Sequence, residues 1–206
     1  MRTKISAALA LLAITTFGAN AVLAQAPPPP RAGGGAPALV PLLIESKAFA
    51  DGGIVPPKYS AAGGSTQPDF TISNAPATTQ SFAIILHDID VAFGPESADV
   101  LHWVAWNIPG NTKQIAEGKL PEGSVQGVNI ARQNAYMGMG APAGPRYHHY
   151  VFEFYALNTK LDLPPTASRA EVLEAIKGKV IAKAAYVGRF RTEGGAATGG
   201  PPAPAK

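Results

Sequence analysis

The chain contains no cysteine among its 206 residues. Disulfides therefore cannot hold the fold, and thiolate metal sites and cysteine nucleophiles are excluded. Basic side chains are also few and scattered, with 17 Lys and Arg against 14 Asp and Glu and no clustered runs. A nucleic-acid partner would require a basic groove or patch, so we expect no such partner.

Two common hydrolase motifs are absent as well, the G-x-S-x-G elbow and the H-E-x-x-H helix. A metal-assisted or acid–base hydrolase would have to be assembled from dispersed side chains. The available set is His87, Asp88, His102 and His148. We keep this hydrolase as an alternative and predict a protein that is not an enzyme, with no catalytic residue, cofactor or metal.

The first residues have the layout of a secretory signal peptide. Arg2 and Lys4 precede an apolar run over 5–17, and Val22, Leu23 and Ala24 precede Gln25. This run is shorter than the roughly 20 residues that span a bilayer, so we predict a cleaved signal over 1–24 and no transmembrane anchor afterwards. The formal charge of +3 would then fall to about +1, which is 3 minus 2. We expect a periplasmic or secreted protein.

Residues 25–40 and 193–206 are rich in proline, glycine and alanine and lack apolar periodicity. Such segments bury too little surface to offset the entropy of ordering, so we predict that both are disordered. Residues 41–192 remain as one domain with a single core.

Short β-prone runs alternate with turn-forming residues through this domain. They are LVPLLIES, DFTIS, SFAIILHDID, LHWVAWNIP and HHYVFEFYALN. This pattern predicts an all-β antiparallel domain. One helix is predicted over 168–184, near the C-terminal end, because Ser168 and Glu171 form a capping box and apolar residues through Ile181 recur at helical spacing.

Strand alternation sorts the polar side chains by face. His102 is predicted to share a face with Val104 and Trp106, while His148 and Tyr150 share a face that excludes His149. Asp88 and Asp90 form a similar pair at the end of their strand. Polar groups at strand ends suit a ligand site. A buried core histidine and turn-forming aspartates remain the alternative reading of these residues.

Three segments occur in an order that resembles the phosphatidylethanolamine-binding protein family, in its bacterial branch related to the Raf kinase inhibitor protein. They are LHDID, LHWVAWNIP and YMGMGAPAGPRYHHYVFEFYAL. The resemblance covers roughly residues 44–192. It implies a two-sheet antiparallel β-sandwich whose pocket takes a phosphate-like anion or a phospholipid headgroup. Some members inhibit kinases or proteases, so a protein partner, in particular a secreted or periplasmic protease, is a second alternative.

The resemblance also assigns roles to individual positions. Asp88 and Asp90 match the D-P-D segment, and His102 matches the histidine of W-x-H-W. Residues 138–144 match the G-P-x-P-P-x-G loop, and His148 and Tyr150 match the H-R-Y segment. The implied ligand-binding residues are Asp88, Asp90, His102, Gly138, Gly140, Pro142, His148 and Tyr150.

Four positions depart from the family pattern: Ile89, Met139 and Ala141 replace prolines, and His149 replaces an arginine. The loop loses fixed φ angles, and the site loses a permanent forked cation. We expect Asp88 to accept a histidine N–H, which fixes the tautomer, while loop N–H groups and a tyrosine hydroxyl complete the donors. Anion binding should then strengthen as pH falls through the histidine range.

Overall fold

The computed structural model describes residues 40–92 and 99–193. Within these ranges the chain consists mostly of strands in two sheets, with one short α-helix. The predicted signal peptide, nearly all of the predicted segment 25–40 and nearly all of the predicted tail 193–206 lie outside the described residues.

The elements follow the β-prone runs of the sequence closely. In chain order they are β1 (Val40–Pro41), β2 (Leu43–Glu45), β3 (Gly53–Ile54), β4 (Phe70–Ser73), β5 (Ser81–Ala92), β6 (Asp99–Pro109), β7 (Gln114–Ile115), β8 (Val125–Gln126), β9 (His148–Leu157), α1 (Arg169–Ala175) and β10 (Val180–Phe190).

The larger sheet has the order β1-β10-β9-β5-β6-β8, and β3 also pairs with β10. The smaller sheet has the order β2-β4-β7. Pairing is antiparallel as predicted, except that the short strands β1 and β3 run parallel to β10. The larger sheet is therefore built mainly from four adjacent long strands, β10, β9, β5 and β6.

Alternation along the long strands gives the larger sheet two apolar faces. On its inner face, Phe152 and Phe154 of β9 share one buried cluster with Phe70 and Ile72 of the smaller sheet. The outer face packs its own cluster against α1, which contributes Val172. Burial of these side chains on both faces, at roughly 1.5–3 kcal/mol each, is the main stabilising term that fixes the sheet.

The predicted helix is shorter than expected and is not the last element. Its start is confirmed, since Ser168 and Glu171 form the capping box. The helix ends at Ala175, Gly178 adopts a left-handed φ of +71°, and the chain turns back as β10. The prediction of helix through residue 184 is wrong because Val180 and the residues after it pair with β9. Pairing with β9 satisfies the backbone N–H and C=O groups of this segment, and the spacing of apolar side chains gives no sign of that pairing.

A β-bulge in β6 overturns the predicted face of His102. Leu86 of β5 pairs with Trp103 and His87 pairs with Leu101, so the register passes over His102. A bulge places an extra residue on one strand and breaks the alternation. His102 consequently contacts Tyr150 of the inner cluster, whereas Val104 and Trp106 lie in the outer one.

Candidate functional site

A cavity of about 480 Å³ opens where the end of β5 and the starts of β6 and β9 meet the loop before β9. Its polar lining comes from Asp88, His102, His148 and Tyr150, and the other lining residues are apolar or glycine. They are Val91, Val100, Ile130, Met137, Gly140, Ala141 and Pro142. The fold thus brings together six of the eight predicted site residues, and the cavity combines polar groups with an apolar wall formed by the remaining side chains.

Asp88 lines this cavity, and both of its carboxylate oxygens are engaged. Its side chain is almost fully buried, because the residue is only 3% exposed. Oδ2 lies 2.8 Å from Nδ1 of His148, and Oδ1 accepts the backbone N–H of Asp90 at 3.0 Å. Since a carboxylate only accepts, Nδ1 of His148 carries a proton and Nε2 is the remaining polar atom of that ring.

His102 is held in one tautomer by the loop before β9. Its Nδ1 lies 3.2 Å from the Met137 carbonyl oxygen and 3.1 Å from that of Gly138. Carbonyl oxygens only accept, so Nδ1 is the protonated nitrogen. Burial lowers the pKa of His102, although the two carbonyls and the charge of Asp88 act in the opposite direction. The ring is therefore neutral at pH 7, and its Nε2 presents a lone pair.

Tyr150 lies between the two histidines. The ring of His102 meets it edge-on at 5.1 Å between centroids, and the ring of His148 lies nearly parallel to it at 6.5 Å. Burial raises the pKa of Tyr150, and the charge of Asp88 raises it further, so the phenol stays un-ionised. Its oxygen accepts the Gly140 N–H at 3.2 Å. Tyr150 thus ties the loop to β9.

The glycine loop is anchored by contacts within the protein. The Gly138 N–H donates to Oγ of Ser65 at 3.0 Å. A Cβ at Gly138 would lie only 2.3 Å from the backbone carbon of Ser60, so this position requires glycine. Gly138 does not line the cavity, and the N–H groups of Gly138 and Gly140 are both in use. The expectation that these two groups donate to a ligand is corrected: they position the loop.

Ser65 is a contributor that the sequence did not indicate. It follows two glycines in a loop distant from every motif, has a positive φ of 53°, and supports the loop from the side. Nothing in the local pattern marks it, because its role depends on the loop that packs against it.

Asp90 lies outside the cavity, contrary to the prediction. Its Oδ2 accepts the backbone N–H of His149 at 2.6 Å and faces Nδ1 of the same residue at 2.9 Å. Arg146 approaches its other oxygen at 3.5 Å. Asp90 therefore clamps the start of β9, and His149 faces away from the site, as alternation predicts.

His87 belongs to a separate group on the outer side of the sheet. Its Nδ1 lies 2.5 Å from Asp99, which also pairs with Arg169 of α1. Burial alone would raise the pKa of Asp99, but hydrogen bonds from His87 and Arg169 outweigh it and leave that pKa below its ordinary value. Across residues 40–92 and 99–193, no three His, Asp or Glu residues are arranged to hold a metal ion. Of the four residues considered for a hydrolase, Asp88, His102 and His148 line the cavity and His87 lies outside it.

Comparison with known proteins gives the same family as the three sequence segments do. The family model described as phosphatidylethanolamine-binding protein matches residues 45–191. The chain belongs to the phosphatidylethanolamine-binding protein family. Among relatives of this family, the chain is 37% identical over 153 residues to a UPF0098 protein of Methanothermobacter thermautotrophicus, covering 72% of this chain and 97% of that protein. It is 34% identical over 155 residues to LppC of Mycobacterium tuberculosis, named as a candidate lipoprotein, covering 75% of each.

Solved structures of the family share the fold. The Chlamydia trachomatis phosphatidylethanolamine-binding protein homologue CT736 matches with a TM-score of 0.68 and 29% identity, covering 74% of this chain and 99% of that one. Escherichia coli YbcL, described as a new member of the mammalian family, matches with a TM-score of 0.67 and 28% identity over the same shares. In the described part of the chain, no helix has the length and apolar character needed to cross a bilayer.

Proposed function

We propose that this member of the phosphatidylethanolamine-binding protein family binds a small phosphoryl anion, free or as a phospholipid headgroup, without chemically changing it. The two sheets serve as the layers of a sandwich that holds the pocket rigid. The observation that carries the proposal is the pair of oriented imidazoles, His102 and His148, whose Nδ1 atoms are fixed by the protein and whose rings line one cavity.

The composition of the cavity suits such a ligand. A volume of about 480 Å³ falls within the roughly 300–1,000 Å³ of small-molecule sites. With Nδ1 of His148 directed at Asp88, Nε2 is the ring atom left to meet the ligand, and a protonated imidazole is a charged donor to an anion. The apolar wall, which includes Val100 and Ile130, can contact the hydrocarbon part of a headgroup.

Binding without catalysis is supported by the state of the polar groups. The described lining contains no Ser, Thr or Lys that could act as a nucleophile. Tyr150 remains un-ionised, and both oxygens of Asp88 are already engaged by His148 and Asp90.

An envelope location fits this proposal. LppC carries the name of a lipoprotein, and the first residues of this chain have the pattern of an export signal. We therefore propose that the protein meets its ligand in the periplasm or outside the cell, where soluble phosphate esters and lipid headgroups are both present.

Isothermal titration with inorganic phosphate and with phosphorylethanolamine, at pH 5.5 and 8, tests the function. Affinity should be higher at pH 5.5, and His148→Ala should weaken it by about tenfold or more, since charged hydrogen bonds contribute roughly 1.5–3 kcal/mol. His149→Ala is the matched control, because that ring lies outside the cavity. Absence of binding by wild type at both pH values would refute the proposal.

A further inference from the structure

We infer that the cavity selects phosphoryl groups that carry a proton of their own and rejects tetrahedral anions that carry none, such as sulfate. This inference rests on the proposed function and adds a rule for which anions the site accepts. It follows from the hydrogen-bonding roles of the two imidazoles, which the protein fixes before any ligand arrives.

The first step is the lone pair of His102. Both carbonyl contacts are made by Nδ1, so Nε2 of the neutral ring can only accept. This Nε2 has no hydrogen-bond partner within the described residues, and His102 lines the cavity. A ligand placed beside it satisfies the nitrogen only if the ligand itself donates.

The second step is that neighbouring groups do not supply that donor. The titratable groups facing His102 are Asp88 on β5 and the two residues His148 and Tyr150 on β9. Asp88 has no proton to give as a carboxylate, and Nδ1 of His148 is already directed at it. The phenol oxygen of Tyr150 accepts the Gly140 N–H, and its own proton is directed to the Asp88 carboxylate. The missing proton has to come with the ligand.

The third step compares two anions of the same shape. Phosphate retains at least one P–OH at neutral pH and can donate it to Nε2 of His102. Sulfate has four acceptor oxygens and no proton, so one of them would face a lone pair. Sites built around a specific donor–acceptor pattern reject a ligand that leaves a buried polar group unpaired. We expect phosphate to bind more tightly than sulfate by at least about tenfold at pH 7.5.

The preference for phosphate over sulfate should decrease at acidic pH. When His102 takes a second proton, Nε2 becomes a donor and can contact either anion. Because burial lowers the pKa of His102, this change occurs below the ordinary histidine range. The ratio of phosphate to sulfate affinity should therefore be largest near neutral pH and should shrink toward pH 5.

The test is isothermal titration of the wild-type protein with sodium phosphate and with sodium sulfate at pH 7.5 and pH 5.0, at constant ionic strength. His102→Gln can present either an amide oxygen or an amide N–H, so it should bring the two affinities within about threefold of each other at pH 7.5. His149→Gln, outside the cavity, should keep the wild-type ratio.

Methyl phosphate supplies a test that needs no variant. It loses its remaining proton near pH 6, whereas inorganic phosphate keeps one as the dianion. Between pH 5.5 and 7.5, wild type should lose more affinity for methyl phosphate than for inorganic phosphate.

The outcomes separate the two claims. Equal affinity for phosphate and sulfate at pH 7.5, or parallel pH profiles for methyl and inorganic phosphate, would overturn this inference and leave the proposed function intact. No binding of any of these anions at either pH would overturn the proposed function and the inference with it.

Discussion

Asp88→Asn is the substitution whose consequences the structure defines most closely. The carboxylate accepts from His148 through one oxygen and from the Asp90 N–H through the other. An amide of nearly the same shape has one oxygen and one NH2 group, so it can satisfy only one of these two donors as they stand. The residue is buried, and solvent cannot replace the lost partner.

We expect the amide oxygen to stay with the Asp90 N–H and the NH2 group to face His148. Nδ1 of that ring then becomes the acceptor, and its single proton moves to Nε2. Where the wild-type imidazole carries both protons, the variant offers a neutral donor in place of a charged one. The difference between charged and neutral hydrogen bonds is about 1–1.5 kcal/mol, which corresponds to about 5- to 15-fold weaker phosphate binding.

At pH 8 the order should change. Where the wild-type ring carries one proton, Asp88 holds it on Nδ1 and Nε2 turns a lone pair toward an anion, whereas the variant still presents Nε2–H. Isothermal titration of phosphate into both proteins at pH 6 and 8 should show the variant weaker at the lower pH and at least as tight at the higher one. Asp90→Asn, outside the cavity, should follow wild type within about twofold. Wild-type affinity in a folded Asp88→Asn protein at pH 6 would refute the reasoning.

Two further predictions concern stability, each measured by urea denaturation. Ser168→Ala removes the cap of α1 and should lower the free energy of unfolding by about 1 kcal/mol, whereas Ser168→Asp should retain most of it; no loss in the alanine variant would contradict the capping role. Asp99→Asn should lower it by about 1–2 kcal/mol at pH 7. Because the pKa of Asp99 is lowered by folding, its contribution is complete above its unfolded pKa near 3.9 and is lost as pH falls through the lower folded value. The stabilities of wild type and Asp99→Asn should approach each other as pH falls below about 3.9, and a difference that stays constant through acid unfolding would contradict the assignment.

The sequence predicts the long strands well because their side chains repeat every second residue with large apolar groups. Phe152 and Phe154 follow Tyr150 on one face of β9, and the structure buries all three in the inner cluster. It also predicts the start of α1, where the capping box is a local signal. Local patterns suffice when the interactions that decide the outcome are themselves local.

Features that depend on a partner strand escape the same reasoning. Val180 and Ile181 fit helical spacing as well as a strand, and only the ladder to β9 decides between them. The face of His102 depends on an extra residue that appears in the register with β5. Asp90 lies close to Asp88 in sequence, but its carboxylate reaches His149 rather than the cavity. Which side chains meet in the cavity is decided by contacts between residues far apart in the sequence.

The central claim is that His102 and His148 are the histidines that meet an anion. The chain contains four histidines, and His87 and His149 lie outside the cavity, so each protein sample carries its own controls. Side-chain 15N NMR during a phosphate titration at pH 6.5 should shift the Nε2 resonances of His102 and His148 and leave the other two unchanged. Shifts confined to His87 or His149, with the cavity pair unmoved at saturating phosphate, would contradict the account.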